Sequence, residues 1–98
     1  RKQAFVKIAW KDIIYVEAVS SYIKLFTQKE VFTLRQSMQA LEKSFPSFFY
    51  RVHRSYLVNL LFAQTIEPGA ICLPDNLRIP ISRDTYGKLL ESIQTISG

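Results

Sequence analysis

Phe49-Tyr50-Arg51-Val52-His53-Arg54-Ser55-Tyr56-Leu57-Val58-Asn59 is the stretch that decides the fold. Aromatic and β-branched residues lead into it and out of it, around a polar knot of two arginines, a histidine and a serine. Phe48 to Arg54 reads as a strand, and Ser55 to Ile66 is apolar enough to hold one or two more. On an extended chain Arg51, His53 and Ser55 point one way, and Val52 and Arg54 the other. If the strand ends near His53, the turn frees Arg54 and Ser55 to project from the sheet rim. The plainer alternative is a strand end with solvated arginines and a His53 tied to a backbone carbonyl. No carboxylate occurs from Lys43 to Ile66, as a phosphate-facing surface requires; core strands would exclude acids too.

Working towards the N-terminus, Ser37 is an N-cap candidate for a short helix lined by Met38, Leu41 and Phe45 and ended by Pro46. Before it come a strand from Val31 to Arg35, a polar turn at Gln28-Lys29-Glu30 and a strand from Tyr22 to Thr27. In that last strand Ile23 and Leu25 lie opposite Lys24 and Phe26. Val19-Ser20-Ser21 connects it to an earlier strand with Ile14, Val16 and Ala18 on one face and Tyr15 and Glu17 on the other. Towards the C-terminus, Pro68-Gly69 is a turn. Ala70 to Leu73 and Leu77 to Ile81 form a hairpin across Pro74-Asp75-Asn76. Leu77, Ile79 and Ile81 face inward, Arg78 and Pro80 outward, and Pro80 marks an edge strand because it has no amide donor. Tyr86, Leu89, Leu90 and Ile93 follow helical spacing behind Ser82 as N-cap, with Asp84 and Lys88 as an i,i+4 pair. Gly87 costs that helix about 1 kcal/mol relative to Ala. Fold class is therefore mostly β, with short antiparallel strands and one or two flanking helices.

The 98 residues make one domain, 1–98, and 48% hydrophobic content is enough for a core without disulfide or metal. No apolar run is long enough to span a bilayer, and no secretory signal is visible. The chain starts at Arg1 and reads as a piece of a longer protein. Cys72 has no partner cysteine, which suits a reducing, cytoplasmic setting, and with His53 it offers too few ligands for structural zinc. There is no Walker loop, dinucleotide fingerprint or nucleophile elbow, and His53 stands between arginines with no orienting acid. No enzyme, metal or cofactor is expected. A net charge of +5 suits a polyanion. Arg54 can fork onto a guanine edge with Ser55 on a phosphate. Arg83 follows Ser82 at a helix N-terminus, where unpaired N–H groups favour phosphate. Ser20-Ser21-Tyr22, near Lys24, is a third polar tip.

Three motifs then carry a resemblance. Asp12-Ile13-Ile14-Tyr15-Val16-Glu17-Ala18 followed by Tyr22 resembles the opening of the LytTR DNA-binding domain of bacterial response regulators. Phe49 to Asn59 resembles its most diagnostic motif, and Ile79-Pro80-Ile81-Ser82-Arg83 with Tyr86 its closing one. They stand in family order and spacing over nearly the whole chain. The resemblance implies three small antiparallel sheets with flanking helices, and loops that enter successive major grooves on one side of bent DNA. It implies base contacts from Tyr22 or an adjacent serine, Arg54 and Arg83. Ser55, Ser82 and Ser21 would hold phosphates, with Arg51, Lys24 and His53 on the DNA backbone. Tyr15, Val58 and Asn59 match as framework. It further implies a receiver domain in the same chain, a two-component signal, paired direct repeats in the target and a dimer on DNA. Two other functions compete: a small β-barrel stacking RNA or single strands on Phe26, Phe32 and Tyr50, and a protein-interaction module with incidental basic loops.

Overall fold

The computed structural model describes residues 6–97, with side chains as far as Ile93. Eight strands and two helices follow in the order β1 (Ile13–Val19), β2 (Tyr22–Thr27), β3 (Val31–Leu34), α1 (Met38–Glu42), β4 (Phe49–His53), β5 (Tyr56–Asn59), β6 (Thr65–Glu67), β7 (Ala70–Leu73), β8 (Leu77–Pro80) and α2 (Arg83–Ser97). Short 3-10 turns precede β1, follow β5 and join β7 to β8.

The strands form two antiparallel sheets, not three: a five-stranded one in the order β3-β2-β1-β5-β4 and a three-stranded one in the order β6-β7-β8. The expected third sheet disappears because β1 pairs on both of its edges. Val16 faces Leu25 on one side and Leu57 on the other, which fuses the two hairpins into one ladder. β1 can be central because it is apolar on both faces. A bulge between Ile13 and Tyr15 also corrects the expected alternation. Val16 and Ala18 pack on one side, whereas Ile14 joins Tyr15 on the other.

Two cores follow from this. On one face of the large sheet Ile13, Val16, Ile23, Leu25 and Leu57 pack under α1 through Met38 and Leu41. Ser37 caps that helix by accepting from the Ala40 amide at 3.1 Å. The helix ends at Glu42, before Pro46, and Phe45 reaches the same core from the following turn. On the opposite face Tyr15, Val52 and Val58 meet Ile71, Leu73 and Ile79 of the small sheet and Leu89 of α2. Fully burying a leucine such as Leu89 contributes about 1.5–3 kcal/mol. β8 is an edge strand, as Pro80 requires. Gly69 turns β6 into β7 at φ +98°, a conformation that side chains rarely adopt.

Asn59 is wholly buried and polar, yet satisfied. Its Nδ2 donates to the Ile13 carbonyl at 2.9 Å, and its Oδ1 accepts from the Leu61 amide at 2.9 Å. The side chain thus ties the start of β1 to the end of β5 and caps the 3-10 turn beyond it.

Candidate nucleic-acid interface

Strand register decides where the polar tips go. β1 runs out to Val19, which pairs with Tyr22 across the two residues Ser20 and Ser21. β5 returns from the same end, because Tyr56 faces Glu17 and the Ala18 amide donates to the Ser55 carbonyl at 2.8 Å. His53 pairs with Tyr56 across Arg54 and Ser55. The tip of β1–β2 and the tip of β4–β5 therefore stand side by side at one end of the large sheet. Two strand spacings put their axes about 10 Å apart. This brings Ser20, Ser21 and Tyr22 together with Arg54 and Ser55, which lie 32 and more residues apart in sequence.

Each tip is held. Ser20 sits at φ +58°, in the left-handed region where glycine is the usual occupant, and the hairpin closes tightly around it. At the second tip Arg51 acts from behind. Its Nε donates to the His53 carbonyl at 3.0 Å and its Nη2 to the Arg54 carbonyl at 2.6 Å. Its Nη1 meets the Glu42 carboxylate of α1, also at 2.6 Å. Arg51 is thus occupied inside the protein, as a brace of the turn. His53 accepts the Ser55 amide at Nδ1, 3.1 Å away, so its partner is a backbone N–H and not a carbonyl. Arg54 projects from this braced turn into solvent, while the Ser55 hydroxyl bonds to nothing among the described residues.

A polar row crosses the sheet just below the tips: Thr33, Lys24, Glu17, Tyr56 and His53 face one another strand by strand. The Tyr56 hydroxyl donates to Glu17 Oε2 at 3.2 Å. Burial, then the neighbouring Glu17 charge, push the Tyr15 and Tyr56 hydroxyls above their usual value near 10, so both stay protonated donors at neutral pH. Lys24, half-buried in this row, follows Tyr22 of the first tip by two residues.

Ser82 and Arg83 belong to the other layer, at the junction of β8 and α2. The Ser82 hydroxyl accepts the Thr85 amide at 3.2 Å and lies 2.8 Å from Thr85 Oγ1, a filled N-cap. Arg83 opens the helix and is exposed. Ion pairs among the described residues take Arg51 with Glu42, Arg78 with Glu67, and Lys88 with Asp84. Arg35, Arg54 and Arg83 are in none of them. Arg35 is the basic residue that periodicity missed: placed at the end of a strand by its neighbours, it lies beyond β3, over the Tyr22 ring. An exposed Arg after an apolar run and before an N-cap serine was the available signal.

The comparison with known proteins decides the family. The model of the LytTr DNA-binding domain matches residues 3–94, nearly the whole chain. The chain belongs to the LytTr DNA-binding domain family. It is similar to sensory transduction proteins LytT. It is 32% identical over 97 residues to that of Bacillus subtilis (strain 168), covering 93% of this chain and 40% of the relative. With that of Bacillus anthracis it shares 29% over 101 residues, covering 97% and 41%. This LytTr domain thus spans about two-fifths of the length of the curated relatives it matches. A solved LytTr DNA-binding domain from a Bacillus cereus protein described as a response regulator superposes with a TM-score of 0.78 at 22% identity. It covers 91% of this chain and 86% of that one, and shows that the fold is shared. The family is one of DNA-binding domains in transcription regulation and not of enzymes. Among the described residues, no cluster of histidine, cysteine or carboxylate suits a metal, and no helix is long and apolar enough to cross a membrane.

Proposed function

We propose that residues 1–98 form a sequence-specific, duplex-DNA-binding domain of a longer cytoplasmic transcription regulator, controlled by a two-component signal through a receiver domain. The observation that carries the reading is the pair of adjacent hairpin tips, from which Arg54 projects, with no acidic partner among the described residues, on a turn braced by Arg51. A guanidinium presented from a fixed backbone can donate two parallel bonds to guanine O6 and N7, worth about 1–3 kcal/mol of discrimination. Hairpins about 10 Å apart cannot occupy major grooves one helical turn, roughly 34 Å, apart. In this reading the Ser20-Ser21-Tyr22 tip and Arg54 engage one groove and its edge, and Arg83 reaches the next. Tyr22 or a neighbouring serine makes the first base contact. Ser55, Ser82 and Ser21 meet phosphates, with Lys24 and His53 beside them, and Arg51 adds charge while positioning Arg54. Paired direct repeats would hold two domains as a dimer on DNA, each raising the effective concentration of the other.

The single-strand alternative fares worse. Its aromatics are already used: Phe26 stacks on Tyr15 at 4.2 Å, Phe32 packs on the α1-side core and Tyr50 on the other. Competition among duplex, single strand and RNA tests the choice. Duplex should win, and log K should fall against log salt with a slope near −5, from about −0.9 for each of 5 to 6 phosphates. Selection from random duplexes should return a repeated motif. Equal binding to all three nucleic acids, or a flat salt response, would overturn the proposal.

A further inference from the structure

The strand β3 ends at Leu34, which pairs with Ile23, and this register delivers Arg35 to the same end of the sheet as the β1–β2 tip. The Arg35 guanidinium carbon lies 5.7 Å from the centroid of the exposed Tyr22 ring, a cation–π distance. Between the tip and the β3–α1 connection lies an open groove of about 450 Å³, whose walls include Ser20, Ser21, Tyr22, Arg35, Gln36 and Ser37. Arg35 is its sole charged lining residue among those described, and no acid lines it. Glu17 points from the other face of β1, where it takes the Tyr56 hydroxyl. Ala18, Ile23 and Met38 complete a mostly apolar lining, so what the groove offers an anion is the one Arg35 guanidinium, with no acid beside it to repel the charge.

We infer that Arg35, held over Tyr22, grips a DNA backbone phosphate on the wall of the groove that the β1–β2 tip enters. This rests on the duplex-DNA reading above and adds a contact to it. The spacing supports a phosphate over a base. A major groove is about 12 Å wide, so its walls stand roughly 6 Å from a tip at its centre. β3 lies one and a half strand spacings, about 7 Å, from the axis of the β1–β2 hairpin. A tip set a little off-centre towards β3 therefore puts Arg35 over the near wall and leaves the Arg54 hairpin, about 10 Å to the other side, at the opposite edge of the same groove. The Tyr22 ring restricts the guanidinium before DNA arrives, which lowers the ordering cost of the contact. The arrangement also gives Tyr22 a positioning task distinct from any base contact.

The test uses the chain with Arg35→Gln, Tyr22→Leu, the double variant and Arg78→Gln, each checked for unaltered thermal unfolding. Binding to the selected duplex and to a scrambled duplex is measured across salt concentrations. Arg35→Gln should weaken both duplexes alike, roughly three- to tenfold at low salt, and reduce the salt slope by about one. The double variant should lose less than the two single effects multiplied, because Tyr22 acts partly through Arg35. Arg78→Gln, whose guanidinium holds Glu67 and Cys72, should leave the slope unchanged. Loss confined to the selected duplex, or an unchanged slope for Arg35→Gln, overturns the phosphate role while leaving duplex recognition intact. Absence of salt-dependent duplex binding by the unaltered chain overturns both.

Discussion

The Nη2 of Arg51 lies 2.6 Å from the carbonyl oxygen of Arg54, so one arginine of the acid-free stretch fixes the peptide from which the other projects. The same guanidinium reaches the His53 carbonyl and Glu42. Lysine keeps the charge but cannot serve three acceptors in a plane. Arg51→Lys should therefore lower stability by about 1–2 kcal/mol in denaturant unfolding. It should also cost more affinity on the preferred site than on random duplex. Unchanged stability together with an equal loss on both duplexes would make Arg51 a simple phosphate contact.

The wholly buried Asn59 satisfies two backbone groups, the Ile13 carbonyl in the interior and the part-buried Leu61 amide. Asn59→Ala leaves the Ile13 carbonyl and the Leu61 amide without their partner, at about 2–4 kcal/mol. The loss should appear in thermal or urea unfolding, and the folded fraction should bind DNA as before. A stability change under about 0.5 kcal/mol would mean that these groups find other partners.

Ser55 and Ser82 should separate by stability. Ser82→Ala removes the α2 cap and should cost about 1 kcal/mol, whereas Ser55→Ala breaks no hydrogen bond of the described residues. If both hydroxyls hold phosphates, each variant weakens all duplexes about equally in a binding titration. A selective loss at one base pair would reassign that serine to base reading.

Tyr15 and Tyr56 set an alkaline limit. Their folded-state values are raised, first by burial and then by Glu17, above the usual value near 10. The folded chain thus holds these protons more tightly than the unfolded chain. Their contribution is complete below about pH 10 and is lost as pH rises through the raised folded values. In Glu17→Gln, absorbance titration of the phenols should move downward. Tyr56, which Glu17 touches by charge and by hydrogen bond, should move most. An unmoved titration would show burial alone to be responsible.

Local pattern read most elements correctly, since each depends on its own residues: the Ser37 and Ser82 caps, the Gly69 turn, the Pro80 edge. The number of sheets was not legible, because it depends on which strand lies beside β1. Nothing in Ile14-Tyr15-Val16 names Leu57 as a neighbour. The bulge before Tyr15 was hidden for a similar reason, as an apolar residue is acceptable on either face of a strand buried on both. At the candidate interface, Arg54, Ser55 and the first tip were visible as polar knots, but their adjacency exists only through the β1–β5 register. Side-chain direction was the other blind spot. Arg51 and Arg54 are equally basic in sequence, yet one turns back to carbonyls and Glu42 while the other faces solvent.

The most direct test of base reading compares Arg54→Lys and Arg83→Lys with Arg78→Lys on the preferred site and on random duplex, at one salt concentration. Each of the first two should lose about 1–3 kcal/mol on the preferred site while random-duplex affinity barely changes. Each should relax preference at its own base pair, the two pairs lying about one helical turn apart, and Arg78→Lys should behave as the unaltered chain. Equal losses on both duplexes would contradict this: Arg54 and Arg83 would then be clamps on the DNA backbone, and other residues would read the sequence.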